Sequence, residues 1–243
     1  MKAMILAAGR GERMRPLTDV CPKPLLCVAG KPLIVWHLER LARAGFREVV
    51  INHAHLGEQI EVLLGDGEAW GVAITYSPEP PGALETAGGI AQALPFLGEE
   101  PFVVINGDIF CDWDLALAKT ALPPNEVTTL AHLVMVPNPV QHPQGDFVLT
   151  DGKVGVTEGN PLFGTGETAA ELGSNPNLTF SGIGIYRPAL FAGLERGEPA
   201  KLAPLLREAM ADGRVSGRLH VGYWTDVGTP ERLAALDAEQ RAL

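Results

Sequence analysis

Positive charge is concentrated around a glycine turn near the start of the chain. Six of the nineteen Lys and Arg residues lie within the first 31 positions, against two acidic residues, Glu12 and Asp19. Because glycine has no Cβ, Gly9 and Gly11 allow a ligand to come close to backbone N–H groups. The apolar run at residues 4–8, just before the turn, is typical of a strand buried on both faces of a parallel sheet. A glycine turn with cations at the end of a first strand predicts a polyphosphate ligand.

Neither of the two common phosphate-binding loops matches this segment. A P-loop requires the string GxxxxGK[ST], which the chain does not contain. The dinucleotide fingerprint GxGxxG would need glycine at position 14, where Met14 stands. Two of the cations lie beside prolines instead, since Arg15 precedes a proline and Lys23 lies between two. Proline restricts the backbone, so we expect these charges at set positions; an ordinary basic surface loop is the alternative.

Two aspartates follow later strands; Asp108 is a candidate metal ligand from its position, whereas Asp226 by itself is unremarkable. Asp108 ends the string Asn106-Gly107-Asp108, directly after an apolar strand predicted at residues 102–105. Asp226 follows the alternating segment at residues 218–223. Ligands of open α/β sheets bind beyond the carboxyl ends of strands, so a carboxylate there, facing the basic loop, is well placed to hold a metal. The alternative for Asp108 is that its side chain caps the next turn.

Composition argues against several other classes of function. The formal net charge of −10 disfavours nucleic acid as a partner, because binding to a phosphate backbone needs a basic face. No apolar run is long enough to span a bilayer and no signal peptide precedes the first strand, so we expect no membrane association and a cytoplasmic location. Cys21, Cys27 and Cys111 lack CxxC spacing, which argues against a disulfide framework and a zinc site. No segment marks an oligomer interface.

Strand and helix signals alternate through the first half of the chain. Strands are predicted at residues 48–52 and 72–76, with an amphipathic helix between them. Thr86 is expected to cap the next helix, which leads to the strand at residues 102–105. Alternating strands and helices form right-handed βαβ units. We therefore predict an α/β fold with a Rossmann-like, doubly wound mixed sheet that is mostly parallel, in one domain over residues 1–243.

The second half of the chain contains a hairpin, a long aperiodic segment and a further strand. Residues 144–154 predict a β-hairpin whose two-residue turn is Asp151-Gly152. Residues 155–177 show no period, so we expect a mobile loop that could act as a lid. The strand predicted at residues 178–186 alternates glycine with larger residues, which fits either a face left open for a bound molecule or a packed core. Thr229 is expected to cap a last helix with proline at its first position.

Together, these motifs resemble the signatures of the sugar-1-phosphate nucleotidyltransferases. The segments that carry the resemblance are Leu6-Ala7-Ala8-Gly9-x-Gly11-x-Arg13-x-Arg15-Pro16-Leu17-Thr18 with Pro22-Lys23-Pro24-Leu25, then Leu84-Glu85-Thr86-Ala87-Gly88-Gly89, Asn106-Gly107-Asp108, and Trp224-x-Asp226-x-Gly228-Thr229-Pro230. Glu85 stands where many members of the family have glycine. Its side chain is therefore either a contact to the base or simply exposed.

The resemblance implies a single nucleotidyltransferase domain that uses Mg²⁺ to join a nucleoside triphosphate and a sugar 1-phosphate, with release of pyrophosphate. Residues 1–110 would form the nucleotide-binding half and residues 111–243 the sugar-phosphate-binding half. The implied catalytic residues are Arg15 and Lys23, and the implied metal ligands are Asp108 and Asp226. The implied nucleotide-binding residues are Ala8, Gly9, Arg10, Gly11, Glu85, Thr86, Gly88 and Asn106. The implied sugar-phosphate-binding residues are Gly145, Asp146 and Ser181.

Four further segments resemble a uridylyltransferase branch of the family that uses UTP and an amino-sugar 1-phosphate in peptidoglycan recycling. These segments are residues 51–54, 84–86, 142–147 and 179–186. Mannose-1-phosphate guanylyltransferases and glucose-1-phosphate thymidylyl- or uridylyltransferases share the loop and both aspartates, so they remain alternatives, as does a non-catalytic nucleotide-sugar-binding subunit. A glycosyltransferase would need a DxD motif, which Asp112-Trp113-Asp114 supplies, although past the strand end and before a predicted helix.

Overall fold

The apolar runs and amphipathic segments of the sequence form an α/β structure. The computed structural model describes residues 1–80, 82–156 and 177–242. The strands are β1 (Ala3–Leu6), β2 (Cys27–Val28), β3 (Lys31–Pro32), β4 (Glu48–His53), β5 (Ala73–Pro78), β6 (Phe102–Asn106), β7 (Ile109–Cys111), β8 (Ala131–Val136), β9 (Phe147–Thr150), β10 (Lys153–Gly155), β11 (Asn177–Tyr186), β12 (Val215–Leu219) and β13 (Trp224–Asp226). The helices are α1 (Leu33–Arg43), α2 (Gly57–Leu64), α3 (Glu85–Leu97), α4 (Ala118–Ala121), α5 (Leu202–Ala211) and α6 (Pro230–Arg241). None of the helices within these ranges is long and apolar enough to cross a membrane.

One mixed sheet joins the two halves of the chain. In the described residues its order is β5-β4-β1-β6-β11-β8-β12-β10-β9. The first four strands pair in parallel, as expected for βαβ units whose helices return the chain to the same edge. β11 then pairs antiparallel with β6 and begins a differently built half.

The second half of the sheet closes on itself. β9 pairs with β11 as well as with β10, so β11, β8, β12, β10 and β9 form a small closed barrel. Of the pairings in this half, the one between β8 and β12 is parallel and the others are antiparallel. The prediction of a mostly parallel, doubly wound sheet is therefore not confirmed, although the mixed α/β class holds. Parallel neighbours need a crossover connection, whereas strands joined by a hairpin, such as β9 and β10, pair antiparallel.

The core lies on both faces of the parallel strands. Ile5 of β1 is fully buried in a cluster with Leu38 of α1 and Ile60 of α2. The next residue towards the N-terminus, Met4, is fully buried on the other face with Ile90 of α3. Because alternate side chains of a strand point to opposite faces, a strand covered by helices on both sides has no polar face. This explains the uninterrupted apolar run of β1.

Local signals placed several elements correctly. The turn of the β9–β10 hairpin has positive φ at both Asp151 and Gly152, 49° and 76°, as a two-residue hairpin turn of this type requires. The Thr229 side chain accepts a hydrogen bond from the Arg232 N–H at the start of α6, so the predicted cap is confirmed. Most of the aperiodic segment 155–177, predicted as a mobile loop, falls outside the described residues.

The start of α3 differs from the prediction. The helix begins at Glu85, and Thr86 makes no side-chain cap. The carbonyl oxygen of Ala200 accepts instead, from the Ala87 and Gly88 N–H groups at 2.9 and 3.1 Å. A tertiary contact therefore satisfies two of the four free N–H groups at the start of this helix, which the local sequence could not reveal.

One buried histidine makes the fold sensitive to acid. His37 on α1 is 2% exposed, and burial, with a smaller effect from nearby Arg40, lowers the pKa of its imidazole to about 4. In an unfolded chain the imidazole pKa is about 6.5. The unfolded state therefore binds more protons than the folded state between these two values. His37 contributes stability above about pH 6.5 that is lost as the pH falls towards 4.

We expect the free energy of unfolding to fall by about 2 kcal/mol from His37 alone when the pH is lowered from 7 to 5. The variant His37→Gln should show a shallower pH dependence, measured by urea unfolding across that range. His132→Gln is a parallel case, because burial and nearby Arg218 lower the pKa of His132 to about 4. An unaltered pH dependence in His37→Gln would contradict the assignment.

Candidate active site

The carboxyl ends of the parallel strands meet beneath a cleft. Leu6 of β1 is in register with Asn52 of β4 and with Asn106 of β6. Two adjoining cavities open here, of about 490 and 760 Å³. Arg13, Asn106 and Asp108 line both cavities, which therefore form one cleft with a first lobe and a second lobe.

Backbone and small side chains form much of the first lobe. Six of the eight residues implied to bind nucleotide line it: Ala8, Gly9, Gly11, Glu85, Thr86 and Asn106. Glu85 is exposed and has a φ of 59°, a left-handed conformation that glycine adopts without strain. This backbone conformation favours glycine, the residue that the resemblance implies for many relatives at this position. The Glu85 side chain is exposed and lies at the wall of the first lobe.

A buried polar network forms the floor of the first lobe. Asn52 accepts a hydrogen bond from the Ala7 N–H at 2.9 Å and donates one to Glu79 Oε1 at 2.6 Å. The other oxygen of Glu79 accepts from the Leu84 N–H at 2.7 Å. The network ties the ends of β1, β4 and β5 to the loop before α3. Glu79 was not predicted as a site residue. Its only signal in the sequence is its position as a polar residue shortly after a strand.

Two residues implied to bind nucleotide do not line the first lobe. Gly88 faces the backbone at residues 198–200, where a Cβ would come within 2.5 Å of the Glu198 carbonyl oxygen. Its lack of a side chain serves helix packing. Arg10 is not among the residues that line the lobe, and its guanidinium contacts His55 at 2.9 Å and Glu12 at 2.8 Å.

The loop between β1 and β2 folds around Lys23. The Lys23 side chain is 11% exposed, and its Nζ lies 2.6 Å from Asp108 Oδ2. Gly11 has a φ of 71°, and a Cβ there would lie only 3.3 Å from the Cβ of Lys23. The Thr18 hydroxyl donates to the Gly11 carbonyl at 2.9 Å and closes the loop. The prolines beside Lys23 and the glycine opposite it thus hold the ammonium at the end of β6.

A tight turn places Asp108 in the cleft. The Gly107 N–H donates to the Leu6 carbonyl at 2.9 Å, and a Cβ on Gly107 would come within 2.5 Å of the same oxygen. Only glycine allows β6 to turn so close to β1. Asp108 follows at the junction of the two lobes, and its carbonyl accepts from the Val227 N–H at 2.7 Å.

A two-stranded ribbon brings the second aspartate beside the first. β7 and β13 pair antiparallel, with Asp226 opposite Ile109, the residue after Asp108. Both aspartates line the second lobe. Asp226 Oδ1 accepts from Arg232 at 2.8 Å and from Gln141 at 2.7 Å. Among the described residues, Asp108 Oδ1 and Asp226 Oδ2 accept no hydrogen bond, so each carboxylate keeps one oxygen for a cation.

The residues implied to contact the sugar phosphate separate into two groups. Asp146 and Ser181 line the second lobe, whereas Gly145 does not. Gly145 has a φ of 64° and forms the turn behind the lobe. Both oxygens of Asp146 are engaged, since Oδ2 accepts from the Phe180 N–H at 2.8 Å and Oδ1 lies 3.1 Å from His142 Nε2. Ser181 is fully buried and accepts from the Ile183 N–H at 3.1 Å.

Arg13, not Arg15, is the arginine of the cleft. Arg13 lines both lobes, whereas Arg15 lines neither. The Arg15 guanidinium is directed to Asp19 at 2.8 Å and to Glu12 at 3.6 Å. Arg15, predicted to be catalytic, is therefore paired with acidic neighbours in this structure, and Arg13 is the arginine that lines the cleft. Arg13 was present in the quoted motif but was given no role.

The glycines of β11 make room for side chains of the protein itself. A Cβ on Gly182 would come within 2.8 Å of the Asn106 side chain, and one on Gly184 would overlap the ring of Tyr186. The packed-core alternative therefore accounts for these glycines. The DxD alternative finds no support, because Asp112 pairs with His220 and Asp114 caps a turn, and neither lines the cleft.

The family model and the relatives that match this chain are all nucleotidyltransferases. Residues 2–144 match the family model described as Nucleotidyl transferase. The chain is 57% identical over 239 residues to N-acetylmuramate alpha-1-phosphate uridylyltransferase of Neisseria meningitidis serogroup B, covering 98% of this chain and 97% of the relative. It is 37% identical to the enzyme of the same name from Caulobacter vibrioides, covering 97% and 95%.

A solved structure supports the fold. The crystal structure of a putative glucose-1-phosphate thymidylyltransferase from Bacillus anthracis, in complex with a sucrose, superposes with a TM-score of 0.81. The match covers 100% of this chain and 96% of that one at 24% identity, so it bears on the fold alone.

Proposed function

Because the chain belongs to the nucleotidyl transferase family, we propose that it transfers the uridylyl group of UTP to N-acetylmuramate α-1-phosphate and releases pyrophosphate. The family resemblance of the loop and aspartate motifs is confirmed. The identity of 57% over nearly the whole length of a relative with this name supports the choice of substrates. The observation that carries the proposal is the placement of Lys23, Asp108 and Asp226 at one cleft.

The proposed reaction is an in-line substitution at phosphorus. A phosphate oxygen of the sugar 1-phosphate attacks the α-phosphorus of UTP, the bond from that phosphorus to the bridging oxygen of the β-phosphate breaks, and pyrophosphate leaves. No general base is required, because a phosphate monoester has a second pKa of about 6 and is mostly ionised at neutral pH. The activation barrier arises largely from repulsion between the negative charges of the two substrates. Two like unit charges 4 Å apart repel by about 4 kcal/mol at an effective dielectric constant of 20, and the substrates carry several.

The two lobes suit the two substrates. The first lobe lies over the glycine loop and the ends of β1, β4 and β5, where backbone N–H groups near Ala8 to Gly11 would approach the triphosphate. The larger second lobe would hold the sugar. The reacting phosphates would then meet at the junction, which Arg13, Asn106 and Asp108 line.

Lys23 and Arg13 would supply the fixed positive charge. Lys23 presents a compact ammonium at the junction and would neutralise the α-phosphate as negative charge increases there. Arg13 lines both lobes, and its planar guanidinium would hold the departing pyrophosphate through paired N–H donors. We assign this second role to Arg13 in place of Arg15, whose guanidinium is held by Asp19 outside the cleft.

Asp108 and Asp226 fit a magnesium ion. Mg²⁺ prefers oxygen ligands, and it is commonly held by one or two carboxylates together with substrate phosphates. Each of the two aspartates has one oxygen paired with a neighbouring cation, Lys23 or Arg232, and one oxygen that accepts no hydrogen bond among the described residues. When bound, the ion would neutralise phosphate charge and orient the oxygens.

The substrates indicate where the protein would act. N-acetylmuramate is a sugar of peptidoglycan, so conversion of its 1-phosphate into a nucleotide sugar would return it to cell-wall synthesis. UTP is a cytoplasmic metabolite, and we propose that location.

A panel of four nucleoside triphosphates against several sugar 1-phosphates, with Mg²⁺ and a pyrophosphate-release assay, tests the proposal. We expect selective use of UTP with N-acetylmuramate 1-phosphate. Preferred use of GTP with mannose 1-phosphate would overturn it in favour of a guanylyltransferase. Binding of a nucleotide sugar without turnover of any pair would indicate a non-catalytic binding protein.

Replacing Lys23 with alanine is expected to lower kcat by about 10²-fold or more, because the transition state loses a fixed cation in a partly buried site. The measurement is pyrophosphate release, with circular dichroism to confirm that the variant is folded. Lys153→Ala is the matched control, since Lys153 is an exposed residue of β10 that lines neither lobe. A Lys23→Ala rate close to that of the wild type would remove Lys23 from the mechanism.

The two neighbouring arginines give a direct comparison. We expect Arg13→Ala to lower kcat/KM for UTP by about 10²-fold and Arg15→Ala to lower it by less than about tenfold, because Arg13 lines the cleft and Arg15 does not. Steady-state kinetics of both variants decide between them. The opposite order would restore Arg15 as the phosphate-binding arginine.

A further inference from the structure

The second lobe is acidic but contains one arginine that the proposed phosphate chemistry does not use. Asp108, Asp146 and Asp226 all line it. Among the described residues that line this lobe, the only arginines are Arg13 and Arg232. Arg13 also lines the first lobe and lies at the junction where the phosphates would meet. Arg232 belongs to the second lobe alone.

The backbone and one aspartate fix the position of Arg232. It lies in the first turn of α6, and its Nη1 donates to Asp226 Oδ1 at 2.8 Å. Gly228 lies against the guanidinium, because a Cβ on Gly228 would overlap Nη2. The side chain is 20% exposed, so it is held in the wall of the lobe while keeping access to it.

The guanidinium has donors to spare. Of its five N–H bonds, one is directed to Asp226. Nε is buried without a hydrogen-bond partner among the described residues. Because Nε is buried, a ligand in the lobe can reach only the exposed part of the guanidinium, and a guanidinium donates paired N–H groups to a carboxylate.

The proposed sugar brings such a carboxylate. N-acetylmuramate differs from N-acetylglucosamine by a lactyl ether, whose carboxyl group is ionised at neutral pH. Inside a lobe lined by three aspartates, an additional negative charge needs a cation nearby. We propose that Arg232 forms a subsite for the lactyl carboxylate in the second lobe and so distinguishes N-acetylmuramate from N-acetylglucosamine. This inference rests on the proposed function.

A purely structural role for Arg232 gives a different expectation. If Arg232 only holds Asp226 in place, its loss weakens binding of every nucleotide sugar to the same degree. If it binds the lactyl carboxylate, its loss weakens binding of the carboxylate-bearing sugar selectively. The informative quantity is therefore a ratio between two ligands and not the affinity for one.

The test uses the full-length protein with Mg²⁺ and isothermal titration calorimetry. The ligands are the proposed product UDP-N-acetylmuramate and its counterpart UDP-N-acetylglucosamine, which lacks the lactyl group. We expect the wild-type protein to prefer UDP-N-acetylmuramate and Arg232→Gln to reduce that preference by about 10- to 100-fold. Arg207→Gln, on the exposed side of α5, is the control and should retain the wild-type preference.

Arg232→Lys provides a second variant should the glutamine variant fail to fold. It keeps the charge but loses the planar fork, so the preference should fall by a smaller factor. A wild-type protein without preference, or a variant with an unchanged ratio, overturns the subsite. Turnover of UTP and N-acetylmuramate 1-phosphate by the wild type, measured in parallel, separates this failure from failure of the proposed function.

Discussion

The contact between Lys23 and Asp108 is the interaction on which the cleft depends. It joins a long loop after β1 to the end of β6 through two opposite charges whose closest atoms are 2.6 Å apart. The lysine side chain is 11% exposed, so loss of the aspartate would leave a nearly buried ammonium without its counter-ion. The loop conformation around Gly11 and the tight turn at Gly107 both serve to bring these two groups together.

The parallel part of the sheet and its mainly antiparallel part meet near the Lys23–Asp108 contact. The parallel strands β1, β4, β5 and β6 end at one edge and provide the backbone and polar floor of the first lobe. The closed, mainly antiparallel half provides the walls of the second lobe. The β7–β13 ribbon connects the halves at the junction, so Asp226 from the end of the chain lies next to Asp108. Under the proposed function, a cleft built in this way would hold the nucleotide and the sugar phosphate on either side of one group of charges.

Local patterns in the sequence predicted much of this structure. The apolar run of β1, the Asp151-Gly152 turn and the Thr229 cap each depend on residues close together in the chain, and the structure contains all three. Lys23 and Asp108 were picked out by their position after strands and beside prolines. Their contact follows from the topology, which brings the strand ends to one edge.

Other features could not be predicted because they depend on distant parts of the chain. The closure of the barrel requires β9 to pair with β11. Gly88 is glycine because the backbone at residues 198–200 packs against it. Arg13 and Arg15 have the same chemistry and lie two residues apart, so only the course of the loop decides which one enters the cleft. The Asn52–Glu79 pair likewise appears only when the ends of β4 and β5 lie side by side.

The central claim is that two aspartates distant in sequence hold one divalent cation beside a bound triphosphate. Electron paramagnetic resonance of Mn²⁺, used in place of Mg²⁺ and titrated in the presence of UTP, measures this directly. We expect Asp108→Asn and Asp226→Asn each to weaken Mn²⁺ binding by about tenfold or more, and Asp151→Asn, which is exposed outside the cleft, to leave it unchanged. Wild-type Mn²⁺ affinity in both cleft variants would contradict the claim.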